Sequence, residues 1–338
     1  MSDDEVTTMP QTPTNRPTMK DVAAEAGVAL GTVSKVINGV PVGDEYRIRV
    51  EEAIKKLNYQ INTYARGLKT SKTYCITFII PNATNPFFAS LIGAMYRAVA
   101  SRGYRLLLCC SDYDAEREQE FIDMASQNRV DGIVGLTYNP RLVIPQGLPF
   151  IAIDRYFSST VPCVSSDNFG GGRLAAEKLV ELGCKRLLFL RIGSNLTNEP
   201  NRRKDGFIAA CEALKVDYSL HILQDGQPIE LFETYLKEHT RNGVCDFDGI
   251  FCVTDFLAYR IKGILTSLGV RVPEQVQLIG FDGVRLFGDQ EYTCSTIVQP
   301  VEGIAEACLD LLLTDAPEKR PSQINLPVSY AYGGTTRA

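Results

Sequence analysis

The spacing of apolar positions changes twice along this chain. Near the start, Val22, Ala23 and Ala26 share one face of the run Asp21 to Ala26, which predicts a short helix closed by Gly27 in a left-handed turn. A second helix is predicted over Thr32 to Asn38, with Val33, Val36 and Ile37 inward and Leu30, Gly31, Ser34 and Lys35 outward. A third covers Asp44 to Leu57, where Val50, Ala53, Ile54 and Leu57 recur at helical intervals. Three short helices with a glycine turn between the first two describe a helix-turn-helix. The outward face of the second helix carries Gly, Ser and one Lys in place of strong helix formers. That choice suits a face that meets DNA better than one that only closes a bundle.

Residues 62–72 lack an amphipathic stripe and read as a basic, flexible linker. From Cys75 the pattern becomes apolar runs alternating with amphipathic ones. "CITFII" predicts a strand, and Pro86 to Arg102 a helix with Phe88, Leu91, Ile92, Met95 and Val99 buried. "YRLLLCC", "GIVGL" and "FIAID" predict strands, with a helix over Ala115 to Asn128. After Asp167 the alternation restarts. Helices are predicted over Gly171 to Leu182, Arg203 to Leu214, Glu230 to Thr240 and Phe256 to Leu268. Strands are predicted at "RLLFL", "HIL", "GIFCV" and "QLIGF". Two series of alternating strands and helices predict an α/β core of two lobes with doubly wound parallel sheets. Ligands of such sheets lie beyond the carboxyl ends of the strands, here in a cleft between lobes.

Composition narrows the class. At 338 residues, 45% hydrophobic and 22% charged, the chain is of ordinary globular composition. No apolar run reaches the ~18 residues that span a bilayer. Residues 1–16 are rich in Thr and Pro and carry Asp3, Asp4 and Glu5, so they read as a disordered tail and not as a secretory signal. The ten cysteines lie mostly within apolar runs without C-x-x-C spacing, and only His221 and His239 could join them on a metal. Buried, reduced thiols, no metal, no cofactor and a cytoplasmic protein are the expectation. The net charge of −5 is uneven: residues 16–72 hold ten Lys or Arg against six Asp or Glu. A basic head on an acidic body points to a polyanion partner.

Seven stretches then carry a resemblance. "TMKDVAAEAGVALGTVSKVINGV", "YQINTYARGLKT", "PNATNPFF", "RVDGIV", "SSDNFGG", "LGVRVPEQVQLIGFD" and "STIVQP", in this order from residue 18 to about 330, resemble the lactose/galactose repressor family of bacterial transcription factors. The resemblance implies a homodimeric repressor that binds operator DNA and answers to a small molecule, with a core like periplasmic sugar-binding proteins. It implies a head at 17–60, a hinge at 61–72 and a core at 73–338. Lobe one then spans about 73–165 and 297–326, and lobe two about 167–295 and 328–338, with exchanges near Asp167, Thr296 and Pro327.

Residue by residue, the likeness implies base reading by Leu30, Gly31 and Lys35, and phosphate contacts by Thr18, Thr32, Ser34 and Asn38. Asn62 to Lys69 match the hinge helix, including Ala65, and Leu68 matches the leucine that wedges into the minor groove. For the effector it implies Phe87, Phe88, Asp154, Arg203 and Asp282, with Phe251 as an aromatic lining and Thr254 on the pocket strand. Charged groups can grip adjacent hydroxyls while an aromatic face covers the apolar side of a sugar. Three positions depart from the family pattern. Ala29 stands where a capping Ser is usual, Ile61 where Pro precedes the hinge Asn, and Thr254 where sugar-binding members carry Asn. Neither operator sequence nor sugar identity therefore transfers.

Other classes fit less well. There is no P-loop, no G-x-S-x-G and no G-x-G-x-x-G, so an enzyme has no motif to rest on. Gly170 to Gly172 read as the glycine-rich start of a helix. A free-standing solute-binding protein would not need residues 18–60. A core of the same fold that senses a non-sugar ligand, such as a nucleobase, is the remaining alternative.

Overall fold

The computed structural model describes residues 17–338 apart from 38, 60–71, 138, 140, 156–160, 194–197, 286–290, 315 and 317–319. These residues form two units, divided between Thr73 and Tyr74. The expected tail, Asn38 and the hinge positions Asn62, Ala65 and Leu68 lie outside the described residues.

In the first unit, α1 (Met19–Ala26) starts two residues before the apolar spacing places it. Thr18 is the reason. Its hydroxyl accepts from the Asp21 N–H while its own N–H donates to the Asp21 carboxylate, a reciprocal cap that extends the helix backwards. Gly27 ends α1 at φ 61°, and a Cβ there would also lie 2.5 Å from Arg49 Nη2. Arg49 uses that approach to donate to the Gly27 carbonyl at 3.2 Å. α2 (Leu30–Ile37) and α3 (Asp44–Lys56) complete the unit. Val22, Ala26, Val33, Val50, Ala53 and Tyr59 form its small core, and Lys56 pairs with Glu25 at 2.6 Å.

The second unit holds two lobes. In lobe one, β1 (Cys75–Ile80), β2 (Arg105–Cys110), β3 (Gly132–Gly135), β4 (Phe150–Ile153), β5 (Cys163–Ser166) and β13 (Gln323–Leu326) make one sheet in the order β13-β5-β4-β3-β1-β2, every pairing parallel. α4 (Pro86–Ser101), α5 (Ala115–Gln127) and α10 (Val301–Leu312) cover it. In lobe two, β6 (Arg186–Ile192), β7 (Asp217–Leu223), β10 (Gly249–Cys252), β11 (Gln277–Asp282), β12 (Thr296–Val298) and β14 (Ser329–Ala331) run in the order β14-β12-β11-β10-β6-β7. Only the β12–β14 pairing there is antiparallel. α6 (Asn168–Glu181), α7 (Arg202–Leu214), α8 (Leu231–Glu238) and α9 (Asp255–Ser267) flank this sheet, and β8 (Thr240–Arg241) and β9 (Val244–Cys245) form a small hairpin.

The chain passes between lobes after β5, after β12 and between β13 and β14. The middle passage differs from the expectation near Thr296. Thr296–Val298 pairs with β11 and β14, so it stays in lobe two and the chain leaves at Gln299 and Pro300. In both sheets the first strand of the lobe lies inside its successor, so the order reverses beside β1 and beside β6. The carboxyl ends of β1, β3, β6 and β10 mark those reversals, where such sheets bind ligands.

Candidate effector cleft and DNA-facing helix

On the head, α2 presents its N-terminal turn outward because Val33 is the residue it buries. Leu30 is 44% exposed, Gly31 and Lys35 are exposed, and Thr32 and Ser34 are half-buried at its flanks. Thr18, Met19, Lys20, Leu30, Gly31 and Ser34 line one shallow concavity, which brings the start of α1 beside the start of α2. Lys20 belongs to this face although apolar spacing does not single it out; its signal was adjacency to the capping Thr18. A Cβ at Gly31 would meet nothing within 4 Å, so the fold leaves that space open.

In the core, Arg203 sits at the start of α7, and glycines place it there. α6 and α7 touch backbone to backbone: a Cβ at Gly172 would lie 1.9 Å from the Arg203 carbonyl oxygen, and one at Gly206 the same distance from that of Phe169. Only glycine permits that approach. The glycine run expected to open a helix does so, with Asp167 as its cap. Arg203 is buried, its guanidinium 3.6 Å from the centre of the Phe281 ring. Its Nε donates to Asn168 Oδ1 at 2.7 Å, its Nη1 to the Val253 carbonyl at 2.7 Å, and Nη1 lies 3.7 Å from Asp282 Oδ1.

A closed ring of polar groups results. Asn168 Nδ2 donates to the Ser166 carbonyl at 2.9 Å, and the Ser166 hydroxyl to Gln299 Oε1 at 2.8 Å. Gln299 Nε2 donates to Asp282 Oδ1 at 2.8 Å. Ser166 and Asn168 bracket the first passage between lobes and Gln299 lies on the second, so Arg203 and Asp282 are wired to both. Burial pushes the Asp282 carboxyl up to about 8 against the pull of Arg203.

Asp154 follows β4 at φ 58° and is 8% exposed. Its Oδ1 is buried without a hydrogen-bond partner in the protein. Burial raises this carboxyl to about 6, with the Arg203 charge pulling the other way. An orphaned acceptor of this kind is costly unless something outside the chain donates to it. Phe87 and Phe88 are buried at the start of α4, their rings 5.8 Å apart, above the carboxyl end of β1. Thr254 caps α9 by accepting from the Leu257 N–H at 3.2 Å, which leaves its hydroxyl proton to donate elsewhere.

Phe251 is a correction. Its side chain is fully buried among Phe189, Phe207 and Phe281, and it therefore packs lobe two instead of lining a pocket. The cleft also holds groups that sequence reasoning missed. Arg191, buried one residue before the end of β6, has its guanidinium pKa lowered by burial. Arg155 and Glu199 are buried as well. A charge ending an apolar strand run was the available signal for Arg191. All ten cysteines are free thiols, eight of them buried, and among the described residues no group of three His, Cys, Asp or Glu side chains could hold a metal.

Comparison with known proteins gives the family. Residues 73–309 match the family model described as periplasmic binding proteins and sugar binding domain of the LacI family, and residues 18–62 match that of bacterial regulatory proteins, lacI family. The sucrose operon repressor of Pediococcus pentosaceus is 33% identical over 95% of this chain and 99% of its own length. The ribose operon repressor of Bacillus subtilis is 33% identical over 95% and 98%. Among solved structures, a lac repressor dimer bound to operator and an anti-inducer shares the fold, with TM-score 0.78 at 21% identity over 96% of this chain and all of the other. A LacI-type regulator from Alkaliphilus metalliredigens complexed with D-xylulofuranose has TM-score 0.64 at 26% identity over 78% of this chain and all of its own. The chain therefore belongs to the LacI family of bacterial transcriptional regulators, with a DNA-binding head and a core of the periplasmic-binding-protein type, and it is a regulator and not an enzyme.

Proposed function

We propose that this protein is a cytoplasmic, homodimeric repressor whose grip on a pseudo-palindromic operator is set by a neutral sugar held between Asp154, Arg203 and Asp282. The observation that carries the reading is the buried, unpartnered Asp154 Oδ1 in the field of the Arg203–Asp282 pair. A sugar hydroxyl supplies the missing donor, and adjacent hydroxyls suit an acid–base pair on the facing lobe. Relatives named for sucrose and ribose operons, and the D-xylulofuranose complex, support a sugar over a nucleobase. Phe87, Phe88 and Thr254 complete the site in this reading, and Arg191 joins it.

On the DNA side, Leu30, Gly31 and Lys35 read bases, while Thr18, Thr32, Ser34 and Asn38 hold phosphates, with Lys20 beside them. Asn62, Ala65 and Leu68 form the hinge that enters the minor groove. Exposed Phe256 and Tyr259 on α9 and Tyr96 on α4 offer apolar surface for the second copy. Calorimetry of the full chain against sucrose, D-ribose, D-xylulose and cellobiose, with adenine and a sugar phosphate as controls, tests the ligand. Binding by a sugar that is lost in Arg203→Ala supports the reading. Binding by adenine or the phosphate alone overturns it.

A further inference from the structure

Glu199 lies on the 3-10 turn Glu199–Asn201 just ahead of α7, and it is more than nine-tenths buried. Its chain segment belongs to lobe two, yet two of its bonds reach lobe one. Its N–H donates to the Asp154 carbonyl at 3.1 Å. Its Oε1 accepts from Gln323 Nε2 at 3.1 Å, on the edge strand β13. Its Oε2 accepts from Arg202 Nη1 at 3.3 Å, which balances its charge within lobe two. Gln323 is held from the other side: its Nε2 also donates to Asn325 Oδ1 at 3.0 Å, and that oxygen accepts from Ser165 Oγ at 2.7 Å. The amide thus faces Glu199 in one orientation.

The carbonyl that Glu199 holds is that of Asp154, a non-glycine residue in the left-handed region. Fixing that peptide fixes the direction in which the Asp154 carboxyl leaves the backbone. We propose that the Glu199 side chain is an interlobe latch. It fastens lobe two to the edge of the lobe one sheet and so keeps its own N–H on the Asp154 carbonyl, beside the carboxyl whose Oδ1 is orphaned. When the lobes part, water takes over the place of Gln323, so the latch opens at modest cost and suits a two-state element. A ligand that bridges Asp154 and the Arg203–Asp282 pair favours the same closed state. This regulatory meaning rests on the cleft being the effector site; the latch itself does not.

Hydrogen–deuterium exchange of the full chain without sugar tests it. Gln323→Glu sets two carboxylates against each other. The swapped double variant, Glu199→Gln with Gln323→Glu, restores a donor and an acceptor with their sides exchanged. Exchange in the peptide 198–203 rises about tenfold in Gln323→Glu and in Glu199→Ala, and returns to within about twofold of wild type in the double variant. A purely structural role would leave the double variant at least as perturbed as the single one. Unchanged exchange in both single variants, or a double variant no better than Gln323→Glu, overturns the latch. The readout needs no ligand, so it stands apart from any failure of the sugar reading.

Discussion

The substitution Asp154→Asn separates the cost of the cleft from its use. Asp154 is 8% exposed, and one of its carboxyl oxygens is buried with no partner in the protein. Burial raises its pKa from an ordinary 3.8 to about 6. Such a displacement corresponds to roughly 3 kcal/mol between the two protonation states. The sign follows from proton binding. Between pH 4 and 6 the folded chain holds a proton that the unfolded chain has released, so folding stability falls as pH rises through that window. The amide of the variant keeps the shape and an acceptor oxygen without the charge. Urea denaturation of the sugar-free protein should show the two forms alike near pH 4. The variant should be more stable by roughly 3 kcal/mol above pH 6. Asp282, raised to about 8 chiefly by burial and in part by the Asp154 charge, adds its own decline between about pH 4 and 8, and that decline is smaller in the variant, which widens the gap in the same direction. Sugar affinity should fall in the variant, because a carboxylate accepts more strongly from a hydroxyl than an amide does. A variant less stable than wild type at a pH of about 7.5 would refute the reasoning, since the carboxylate would then be a satisfied group.

Gly31→Ala places a methyl in open space, so it should stabilise the head by about 0.5–1 kcal/mol in thermal melts while weakening operator binding; unchanged affinity would remove the start of α2 from the base edges. Lys35→Ala should relax sequence preference, at about 1–3 kcal/mol for one base pair in competition binding; a uniform loss across sequences would make Lys35 a phosphate contact. Gly172→Ala drives a methyl against the Arg203 carbonyl oxygen and should cost about 3 kcal/mol in urea melts, with weaker sugar binding as Arg203 shifts. A neutral result there would mean that α6 and α7 separate freely.

Much of this molecule was legible because local rules and global fold agree. The three head helices, the Gly27 turn and most core strands follow from apolar spacing, as does the glycine-rich start of α6. Short strands were harder. β5, β12, β13 and β14 are three or four residues long and, unlike the equally short β3, β4 and β10, mix polar residues into the run, so no apolar stretch stands out. The passage at Gln299 moved for the same reason: whether Thr296–Val298 belongs to one lobe or the other is decided by which edge it pairs with. Thr18 lengthened α1 because its partner Asp21 completes a reciprocal cap, a pattern present in the sequence but unused. At the site, Asp154, Arg203 and Asp282 came through family resemblance. The ring through Asn168, Ser166 and Gln299 joins residues up to 133 positions apart, and no spacing rule foretells that. Phe251 was misplaced because a strand residue beside a pocket can face either side of its sheet. Here it faces an aromatic core.

The central claim is that occupancy of the cleft changes the grip of the head on DNA. Its most direct measurement is fluorescence anisotropy of the full chain on a selected operator, with and without the sugar found by calorimetry. Saturating sugar should shift operator affinity by about tenfold or more, and Asp282→Asn should keep the sugar-free affinity but lose the shift. An operator affinity that no ligand bound in the cleft can change would contradict it.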